Sequence, residues 1–244
     1  MYFEKSVDKE KIEKLLDSKG FKKSKNPEFV LALGGDGTFL RAAVKFRKSV
    51  ILPIRVDSSI GSLIKYSMDD LPRVLDLLKE NMLSVKSEPL LECDFERRKF
   101  YSAGDFYFQR GRENQAVRYY AKIKTKGKVI EVNGIGDGLI VTTPIGSTGY
   151  FGYVERIKGN EVRPISKFGF EHILPYKLEQ SVNGKSVKPQ LRILLEPGFL
   201  IEVQAKRCLD QCIYSSSFLN KCVAVRLNQK FVIKDSGQSV KIII

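Results

Sequence analysis

The chain has 244 residues, 43% of them apolar, which is long enough for one large domain or two modest ones with their own cores. It contains no long uncharged apolar run, and its first residues lack the apolar stretch of a signal peptide, so we expect a cytoplasmic protein without a membrane partner. Lysine and arginine number 42 against 28 acidic residues, giving a net charge of +14, but the basic residues are spread along the chain and follow no nucleic-acid-recognition motif. We interpret the charge as a solvated basic surface, which disfavours a nucleic-acid partner.

The predicted elements of the first third alternate between helices and strands. Apolar residues at helical spacing predict a helix over Lys9–Lys19, which ends at Gly20, a favoured residue after a helix. The next elements in chain order are a strand at Phe29–Leu33, a helix at Thr38–Lys48, a strand at Val50–Val56 and a helix from about Asp69 to Glu80. Strands joined through a helix by short turns run parallel, and ligands bind at the carboxyl edge of such sheets.

From about Leu83 onward the pattern changes to short β-branched and aromatic runs separated by turn residues. These runs are Phe106–Gln109, Ala121–Lys124, Leu139–Thr143, Leu191–Leu195, Leu200–Ala205, Val223–Leu227 and Val240–Ile244. Many short strands without intervening helices predict an antiparallel sandwich, whereas Glu155–Gly184 has no clean period and predicts loops or irregular strands. The expected fold is an α/β N-terminal domain over residues 1–82 and an all-β C-terminal sandwich domain over 83–244, whose C-terminal end can pack back on the first domain.

The cysteines and the single histidine give no evidence of a metal centre. Cys93, Cys208, Cys212 and Cys222 are too few and too irregularly spaced for a disulfide scaffold. Cys208 and Cys212 have a spacing that zinc can use, but the chain offers no second ligand pair. We therefore expect buried reduced thiols, and a structural role for His172 in its apolar neighbourhood.

The most informative segment is Gly34-Gly35-Asp36-Gly37-Thr38, which directly follows the apolar run Phe29–Leu33. Glycines allow close backbone approach to a ligand, and the N–H groups that open the next helix favour phosphate. A carboxylate in such a place binds a metal or accepts a proton from an attacking hydroxyl, so phosphoryl transfer is the first hypothesis. An ordinary tight turn is the alternative interpretation. Arg41 follows in the first turns of the predicted helix, where its guanidinium could reach a phosphate or lie on a solvated face.

A second glycine-rich stretch runs from Asp137 to Tyr150 and carries an acid, several hydroxyls and a terminal aromatic ring. Such groups suit a nucleoside, because hydroxyls and amides fix a base edge and ribose, a ring stacks, and an acid accepts from a ribose hydroxyl. The same residues also fit a β-strand followed by a turn, with Tyr150 as a core ring.

GGDGTFLRAA (Gly34–Ala43) followed about 100 residues later by DGLIVTTPIGSTGY (Asp137–Tyr150) resembles the NAD kinase family. The first motif is shared with lipid kinases, and the second is the discriminating one. Ser102-Ala103-Gly104-Asp105 occupies the place of the family's Asn-acid pair, so Asp105 keeps the acid while Gly104 replaces the amide. The chain also departs from the family after Tyr150, where Phe151 and Tyr153 replace small residues, and only Tyr2–Glu4 is available for the family's opening strand.

The resemblance implies an ATP- or polyphosphate-dependent kinase that phosphorylates the 2′-hydroxyl of the adenosine ribose of NAD to make NADP. It implies that Asp36 accepts the hydroxyl proton and that Mg²⁺ neutralises charge on the transferred oxygens, without a firm direct protein ligand. Phosphate or nucleotide would be bound by Gly34, Gly35, Gly37, Thr38 and Arg41, and NAD by Gly104, Asp105, Asp137, Thr148, Gly149 and Tyr150. It further implies a homo-oligomer, a dimer or tetramer. A lipid or other nucleoside kinase and a non-catalytic nucleotide-binding paralogue are the alternatives.

Overall fold

The chain folds into two compact units in the computed structural model, which describes residues 2–3, 7–56, 63–111, 115–157, 159–207, 211–215 and 222–243. The first unit comprises Met1–Glu88 together with Ser239–Ile244, and the second comprises Pro89–Gln238. The sequence pattern predicted a domain boundary between residues 82 and 83, a few residues before Glu88, where the N-terminal segment of the first unit ends. None of the described helices has the length and apolar character that a membrane span requires.

The first unit is a small parallel α/β structure. Its elements are β1 (Tyr2–Phe3), α1 (Lys9–Ser18), β2 (Phe29–Leu33), α2 (Asp36–Lys45), β3 (Val50–Arg55), β4 (Tyr66–Ser67) and α3 (Leu71–Lys79). β2 lies between β1 and β3, and all three strands run parallel. On its other side β3 pairs with Lys241 and Ile242 along its first half and with β4 at its end. The family's opening strand, for which only Tyr2–Glu4 was available, is represented by the two residues of β1, and Glu4 lies outside the described residues.

Apolar helix faces cover this parallel sheet. Leu31 and Leu33 of β2 share a core with Ile12 of α1 and Leu75 of α3. Successive side chains of a strand point to opposite faces, and the intervening Val30 and Ala32 of β2 are also buried. Both faces of β2 are thus covered, as expected for a strand with a continuous apolar sequence in a parallel sheet.

The second unit is built almost entirely from antiparallel strands. The remaining strands are β5 (Val85–Phe95), β6 (Arg98–Ser102), β7 (Asp105–Arg110), β8 (Val117–Thr125), β9 (Lys128–Gly136), β10 (Gly138–Thr142), β11 (Phe168–Ile173), β12 (Lys177–Val182), β13 (Lys185–Val187), β14 (Arg192–Leu195), β15 (Leu200–Arg207), β16 (Gln211–Ser215), β17 (Val223–Val225) and β18 (Lys230–Ile243). The start of β5, up to Glu88, and the end of β18, from Ser239, belong to the first unit. Two 3₁₀ turns, Ile145–Thr148 and Tyr150–Gly152, and the short helix α4 (Tyr153–Ile157) interrupt them.

These strands form two layers with one core. One layer has the order β14-β11-β10-β7-β16-β17, and the strands β18-β15-β8-β9-β12-β13, with β5 and β6 attached to β18, form the other. Phe106 and Phe108 of β7 meet Tyr119 of β8 and Ile201 of β15 in the shared core. The expected α/β N-terminal part and mostly-β C-terminal part are both present.

The expectation of loops or irregular strands over Glu155–Gly184 is wrong for much of that stretch. β11 is paired on both sides, with β10 and β14, and every one of its residues is buried. Two of those residues, Glu171 and His172, are ionisable, and they hide the apolar pattern by which a buried strand is recognised. Their presence is explained by their partners, Arg192 for Glu171 and Tyr119 for His172.

Candidate active site

Two glycines make the turn from β2 into α2. The N–H of Gly34 donates to the carbonyl of Ile54 in the neighbouring strand over 3.0 Å, and Gly34 has a φ of 153°, which favours glycine. Gly35 is the N-cap residue of α2 in an extended conformation, and no side chain caps the helix there. The first turn of α2 therefore begins at the carboxyl edge of the parallel strands, where N–H groups at a helix N-terminus favour negative charge.

Asp36 is the first residue of α2, two residues before the predicted start at Thr38. Its Oδ1 accepts a hydrogen bond from the N–H of Leu63 over 3.3 Å, which fixes the carboxylate against the segment that leads to β4. The first turn of a helix is an electrostatically favourable place for a negative charge. Thr38 lies in the same turn and is buried. The prediction placed the helix too late because it counted Asp36 and Gly37 as turn residues.

Arg41 folds back over this first helical turn. Its Nη2 donates to Oγ1 of Thr38 over 3.2 Å, and its Nη1 lies 3.1 Å from the point where a Cβ at Gly37 would be. A larger residue at position 37 would therefore crowd the guanidinium. The Nε of Arg41 is buried and has no hydrogen-bond partner among the described residues. The arginine is thus held at the N-terminus of α2 and not on a solvated face of the helix.

Arg55 is a second cation at the same edge of the sheet, and the sequence analysis missed it. It ends β3, directly beyond Ile54, which pairs with Leu33 at the end of β2. Its guanidinium donates to the carbonyl of Ile64. The available signal was its position, since a charged residue that directly follows an apolar parallel strand lies at the ligand-binding edge.

In the second unit, the segment around Gly104 is locked to the glycine-rich segment that follows β10. Asp105 pairs with Thr142 in the β7–β10 ladder, and the N–H of Thr143 donates to the carbonyl of Gly104 over 2.8 Å. A Cβ at Gly146 would lie 2.5 Å from that same carbonyl oxygen, so only glycine allows this approach. Two segments about 40 residues apart, which the family resemblance assigned to one ligand, therefore lie together.

Asp105 is buried, with only 4% of its surface exposed. Its backbone carbonyl accepts from the hydroxyl of Ser102, and this hydroxyl also accepts from the N–H of Gly104. Asp105 and Tyr107 are two residues apart in β7 and therefore share a face of the sheet. Burial first and the charge of Asp105 second raise the pKa of Tyr107 to about 12. The predicted residues Gly104 and Asp105 thus lie in a tight turn that leads directly into β7, the strand that carries Tyr107.

Tyr150 belongs to a group of four rings that we call the aromatic cluster: Tyr107, Tyr150, Tyr153 and Tyr214. Tyr150 meets Tyr107 edge-on with ring centroids 5.6 Å apart, and Tyr107 stacks on Tyr214 at 5.7 Å with an interplanar angle of 15°. Tyr150 also packs against Tyr153 at 5.7 Å and keeps 39% of its surface exposed. A half-exposed ring supported by other rings is a surface on which a planar base can stack.

The backbone before Tyr150 is held by Arg156. Its guanidinium donates to the carbonyl of Gly149 over 2.7 Å and to the carbonyl of Thr148. Thr148 is half-buried and Gly149 is exposed, so this part of the predicted site faces solvent. The arginine draws these carbonyls together and fixes the turn that presents Tyr150.

Asp137 and Arg110 place a charge pair beside Tyr150. Nη2 of Arg110 lies 3.3 Å from Oδ2 of Asp137, and both side chains are partly exposed. Burial is the main reason that the pKa of Tyr150 is raised, the charge of Asp137 raises it further, and Arg110 opposes this rise. Arg110 and the supporting rings Tyr107 and Tyr214 had no signature in the sequence, since strand pairing brings them here.

The two large residues that depart from the family pattern are anchors. Phe151 is buried in a small cluster with Ile140 and Ile173, and the guanidinium of Arg192 lies 4.5 Å above its ring centroid. A Cβ at Gly169 would lie 2.3 Å from the Phe151 ring, so this ring occupies the space that a side chain at position 169 would need. These contacts fix the start of α4 to the sheet that carries β10 and β11.

Tyr153 and His172 complete this anchoring. The hydroxyl of Tyr153 donates to the carbonyl of His172 over 2.8 Å and accepts from the N–H of Leu174 over 3.0 Å. The His172 side chain is fully buried, its Nδ1 bonds the hydroxyl of Tyr119, and burial lowers its pKa to about 4. His172 is therefore a neutral core residue at neutral pH, as the sequence predicted.

Within the described part of the chain, no three His, Cys, Asp or Glu side chains are grouped so that they could hold a metal ion. Cys93 and Cys212 are buried, as expected, whereas Cys222 is exposed, which corrects the prediction for that thiol. Cys208, and with it the proposed spacing to Cys212, lies outside the described residues. Magnesium can still be accommodated, because it is usually held by one or two carboxylates together with the phosphates of a substrate.

The fold of this chain is similar to that of solved NAD and NADH kinases. An NAD kinase from Archaeoglobus fulgidus, solved in complex with ATP, matches 99% of this chain and 91% of its own with a TM-score of 0.72 and 18% identity. Yeast NADH kinase, solved with NADH, matches 89% of this chain and 61% of its own with a TM-score of 0.69 and 14% identity.

Sequence relatives agree with the fold. The NAD kinase of Acidobacterium capsulatum is 30% identical over 133 residues, which are 52% of this chain and 46% of the relative. The chain spans about half the length of the curated relatives that it matches. No protein-family model matches it. These relatives and solved structures are NAD or NADH kinases, and they support the resemblance of this chain to the NAD kinase family.

Proposed function

We propose that this protein transfers a phosphoryl group from ATP or polyphosphate to the 2′-hydroxyl of the adenosine ribose of NAD, producing NADP. The observation that carries the proposal is the position of Asp36. It supplies a carboxylate in the first turn of a helix, after a two-glycine turn at the carboxyl edge of parallel strands. This is a place where phosphate and an attacking hydroxyl can meet an acceptor for a proton.

In the proposed reaction, the 2′-oxygen forms a bond to the terminal phosphorus of the donor while the bond from that phosphorus to the bridging oxygen breaks. ADP, or polyphosphate shortened by one unit, leaves with the electron pair of the broken bond. The carboxylate of Asp36 accepts the hydroxyl proton. The hydrogen bond from the N–H of Leu63 to Oδ1 orients this carboxylate.

The N-terminus of α2 would hold the transferred phosphoryl group. The N–H groups around Gly35, Gly37 and Thr38 can donate to its oxygens, and glycine at positions 34 and 35 lets them approach closely. Arg41 is fixed on Thr38 and can form a charge-assisted hydrogen bond with the phosphate through its buried Nε. Mg²⁺, when bound with the donor, would neutralise charge on the phosphate oxygens. Asp36, in the first turn of α2, is the carboxylate that could also contact this Mg²⁺.

The second unit would hold NAD. Tyr150 supplies the exposed face of the aromatic cluster for the adenine, and the turn at Thr148 and Gly149 lines the same surface. Asp137 is placed to accept from a ribose hydroxyl, with Arg110 balancing its charge. Asp105 is assigned to the same half of the ligand, and Gly104 contributes backbone only.

The test incubates the pure protein with NAD, Mg²⁺ and either ATP or polyphosphate, and measures NADP. Asp36→Asn should lower turnover by about 10²- to 10⁴-fold, the usual contribution of a general base, and leave the Kd for NAD within about tenfold. Asp69→Asn is the matched control, because Asp69 is an exposed aspartate of the same unit that precedes α3. Normal turnover of Asp36→Asn would disprove the assigned role of this residue.

A second candidate is a kinase of the same fold with another acceptor. It is favoured by the backbone-only contribution at Gly104, whose carbonyl is already used by Thr143. Phosphorylation of another nucleoside or of a lipid in place of NAD would establish it. Saturable NAD binding without any product would instead favour the non-catalytic paralogue. The identity of the product therefore separates the three alternatives.

The assembly and location of the protein stay predictions. The resemblance to the family implies a homo-oligomer, and we propose a dimer or tetramer for this chain, which light scattering on a size-exclusion column measures directly. The cytoplasmic location rests on the sequence alone, and fractionation of cells that express the protein tests it.

A further inference from the structure

A pair of thiols lies in the second unit, next to the aromatic cluster. Cys212 is in β16 and keeps only 3% of its surface exposed, whereas Cys222, just before β17, is exposed. The two strands are antiparallel, with Cys212 opposite Ala224, so Cys222 is a diagonal neighbour of Cys212 on the same face. Their sulfur atoms are 2.7 Å apart.

We propose that Cys212 and Cys222 are a thiol–disulfide modification site whose oxidant is a peroxide. A disulfide bond is about 2.05 Å long, so closing the pair requires a movement of well under an ångström. The sulfurs already lie on one face of a paired hairpin, and neither strand has to change its register. Cys93, by contrast, is fully buried in the core, and burial raises the pKa of its thiol well above the ordinary value.

The exposed thiol reacts first. The thiolate of Cys222 attacks one peroxide oxygen, the O–O bond breaks, and a sulfenic acid and one molecule of water are formed. The sulfur of Cys212 then attacks the sulfur of Cys222, the S–O bond breaks, and the hydroxyl leaves as a second water. Two thiols have lost two electrons and two protons, and hydrogen peroxide has become two molecules of water. A dithiol such as dithiothreitol reverses the change by exchange.

Tyr214 connects this pair to the surface assigned to NAD. It lies two residues beyond Cys212 in β16 and therefore on the same sheet face, and its ring stacks on Tyr107. Burial first, and the neighbouring thiols of Cys212 and Cys222 second, raise the pKa of its hydroxyl. Tyr107 in turn supports Tyr150. Closing the disulfide draws the sulfurs together beneath Tyr214 and shifts this ring against its neighbour. This part of the inference rests on the proposed function, and we expect oxidation to weaken NAD binding by about fivefold or more, the lower end of couplings between sites.

The experiment treats the reduced full-length protein with hydrogen peroxide, blocks remaining thiols with N-ethylmaleimide, and maps tryptic peptides by mass spectrometry. Trypsin cleaves after Arg207, Lys221 and Arg226, so the disulfide joins peptide 208–221 to peptide 222–226. We expect this cross-linked species, with two hydrogens fewer than its parts, and its loss on addition of dithiothreitol. Failure to detect it at peroxide levels that oxidise Cys222 would overturn the proposal.

Variants identify the partners, because peptide 208–221 also contains Cys208. The cross-link should persist in Cys208→Ser and Cys93→Ser, and disappear in Cys212→Ser and in Cys222→Ser. Thermal melting checks that Cys212→Ser is folded, and Cys222→Ser changes an exposed side chain. A cross-link that survives Cys212→Ser and is lost in Cys208→Ser would refute the assignment.

Calorimetric titration with NAD then compares the oxidised and reduced forms. Weaker binding after oxidation of the wild type, with no change in Cys222→Ser, supports the connection through Tyr214. Equal Kd values for the two wild-type forms would refute that connection. If the disulfide forms but neither form binds NAD, the modification site stands and the proposed function fails, so the two are tested separately.

Discussion

Phe151 and Gly169 should behave as one packing unit. Phe151→Ala removes a fully buried ring, and such changes cost about 3–5 kcal/mol of unfolding free energy. The loss of the contact with Arg192 adds about 0.5–1 kcal/mol or more. Because Gly169 has no side chain to collapse into the space, we expect a value in the upper half of the first range.

A larger residue at position 169 would overpack the space that the ring of Phe151 fills and that Phe151→Ala leaves empty. In Gly169→Ala the new Cβ would lie 2.3 Å from the Phe151 ring, so the buried ring has to move and stability falls. In the double variant, Phe151→Ala with Gly169→Ala, the new methyl group enters the space that the ring has left. The double variant should therefore lose less than the sum of the single losses, by about 0.5–3 kcal/mol.

Urea denaturation followed by circular dichroism measures all four proteins of this cycle, and Phe151→Leu, which keeps most of the volume, should lose clearly less than Phe151→Ala. Additive losses in the double variant would show that ring and glycine do not share the space. A loss below about 1 kcal/mol for Phe151→Ala would refute the anchoring role.

Two further predictions concern Arg41 and His172. Arg41→Ala should lower kcat/KM for the phosphoryl donor by roughly tenfold to hundredfold, because a hydrogen bond to a charged group contributes about 1.5–3 kcal/mol. The KM for NAD should stay unchanged. Steady-state kinetics with each substrate varied in turn measures this, and a joint rise of the KM values for the donor and for NAD would contradict the assignment. For His172, whose pKa falls from 6.5 unfolded to about 4 folded, the unfolded chain binds the proton more readily. Stability should be full above about pH 6.5 and fall by up to about 3 kcal/mol as the pH drops to 4. Urea titrations at several pH values should show a flatter profile for His172→Asn, and an equally steep one would exclude the histidine as the cause.

The sequence predicted the first unit closely, because its elements are periodic and their ends carry strong signals. The strand Phe29–Leu33 has the predicted bounds, and α1 ends one residue before the predicted Lys19. β11 could not be predicted, since a buried acid and a buried histidine in a strand look like surface residues until their partners are known. Those partners come from distant parts of the chain, as Arg192 does for Glu171.

Contacts among the candidate-site residues could be predicted from the sequence where the residues lie close together in the chain, and could not be predicted where they depend on pairing between strands. Asp36 and Arg41 lie within one short segment, so spacing alone placed them together. Tyr107 and Tyr214 are adjacent only because β7 pairs with β16, and nothing in either strand's own sequence specifies this pairing. The same holds for the contact between the sulfurs of Cys212 and Cys222.

The pairing of Val50 with Lys241 has a consequence for synthesis on the ribosome. The end of β18, which pairs with the first half of β3 through Lys241 and Ile242, is translated roughly 190 residues after β3 itself. Until then β3, which is apolar, presents open backbone groups along its first half, and such edges invite pairing with other chains. Contacts of this sequence separation also form slowly. The first unit to emerge is therefore the last to be completed, and a nascent chain depends on protection of that edge while the β-sandwich is still being made.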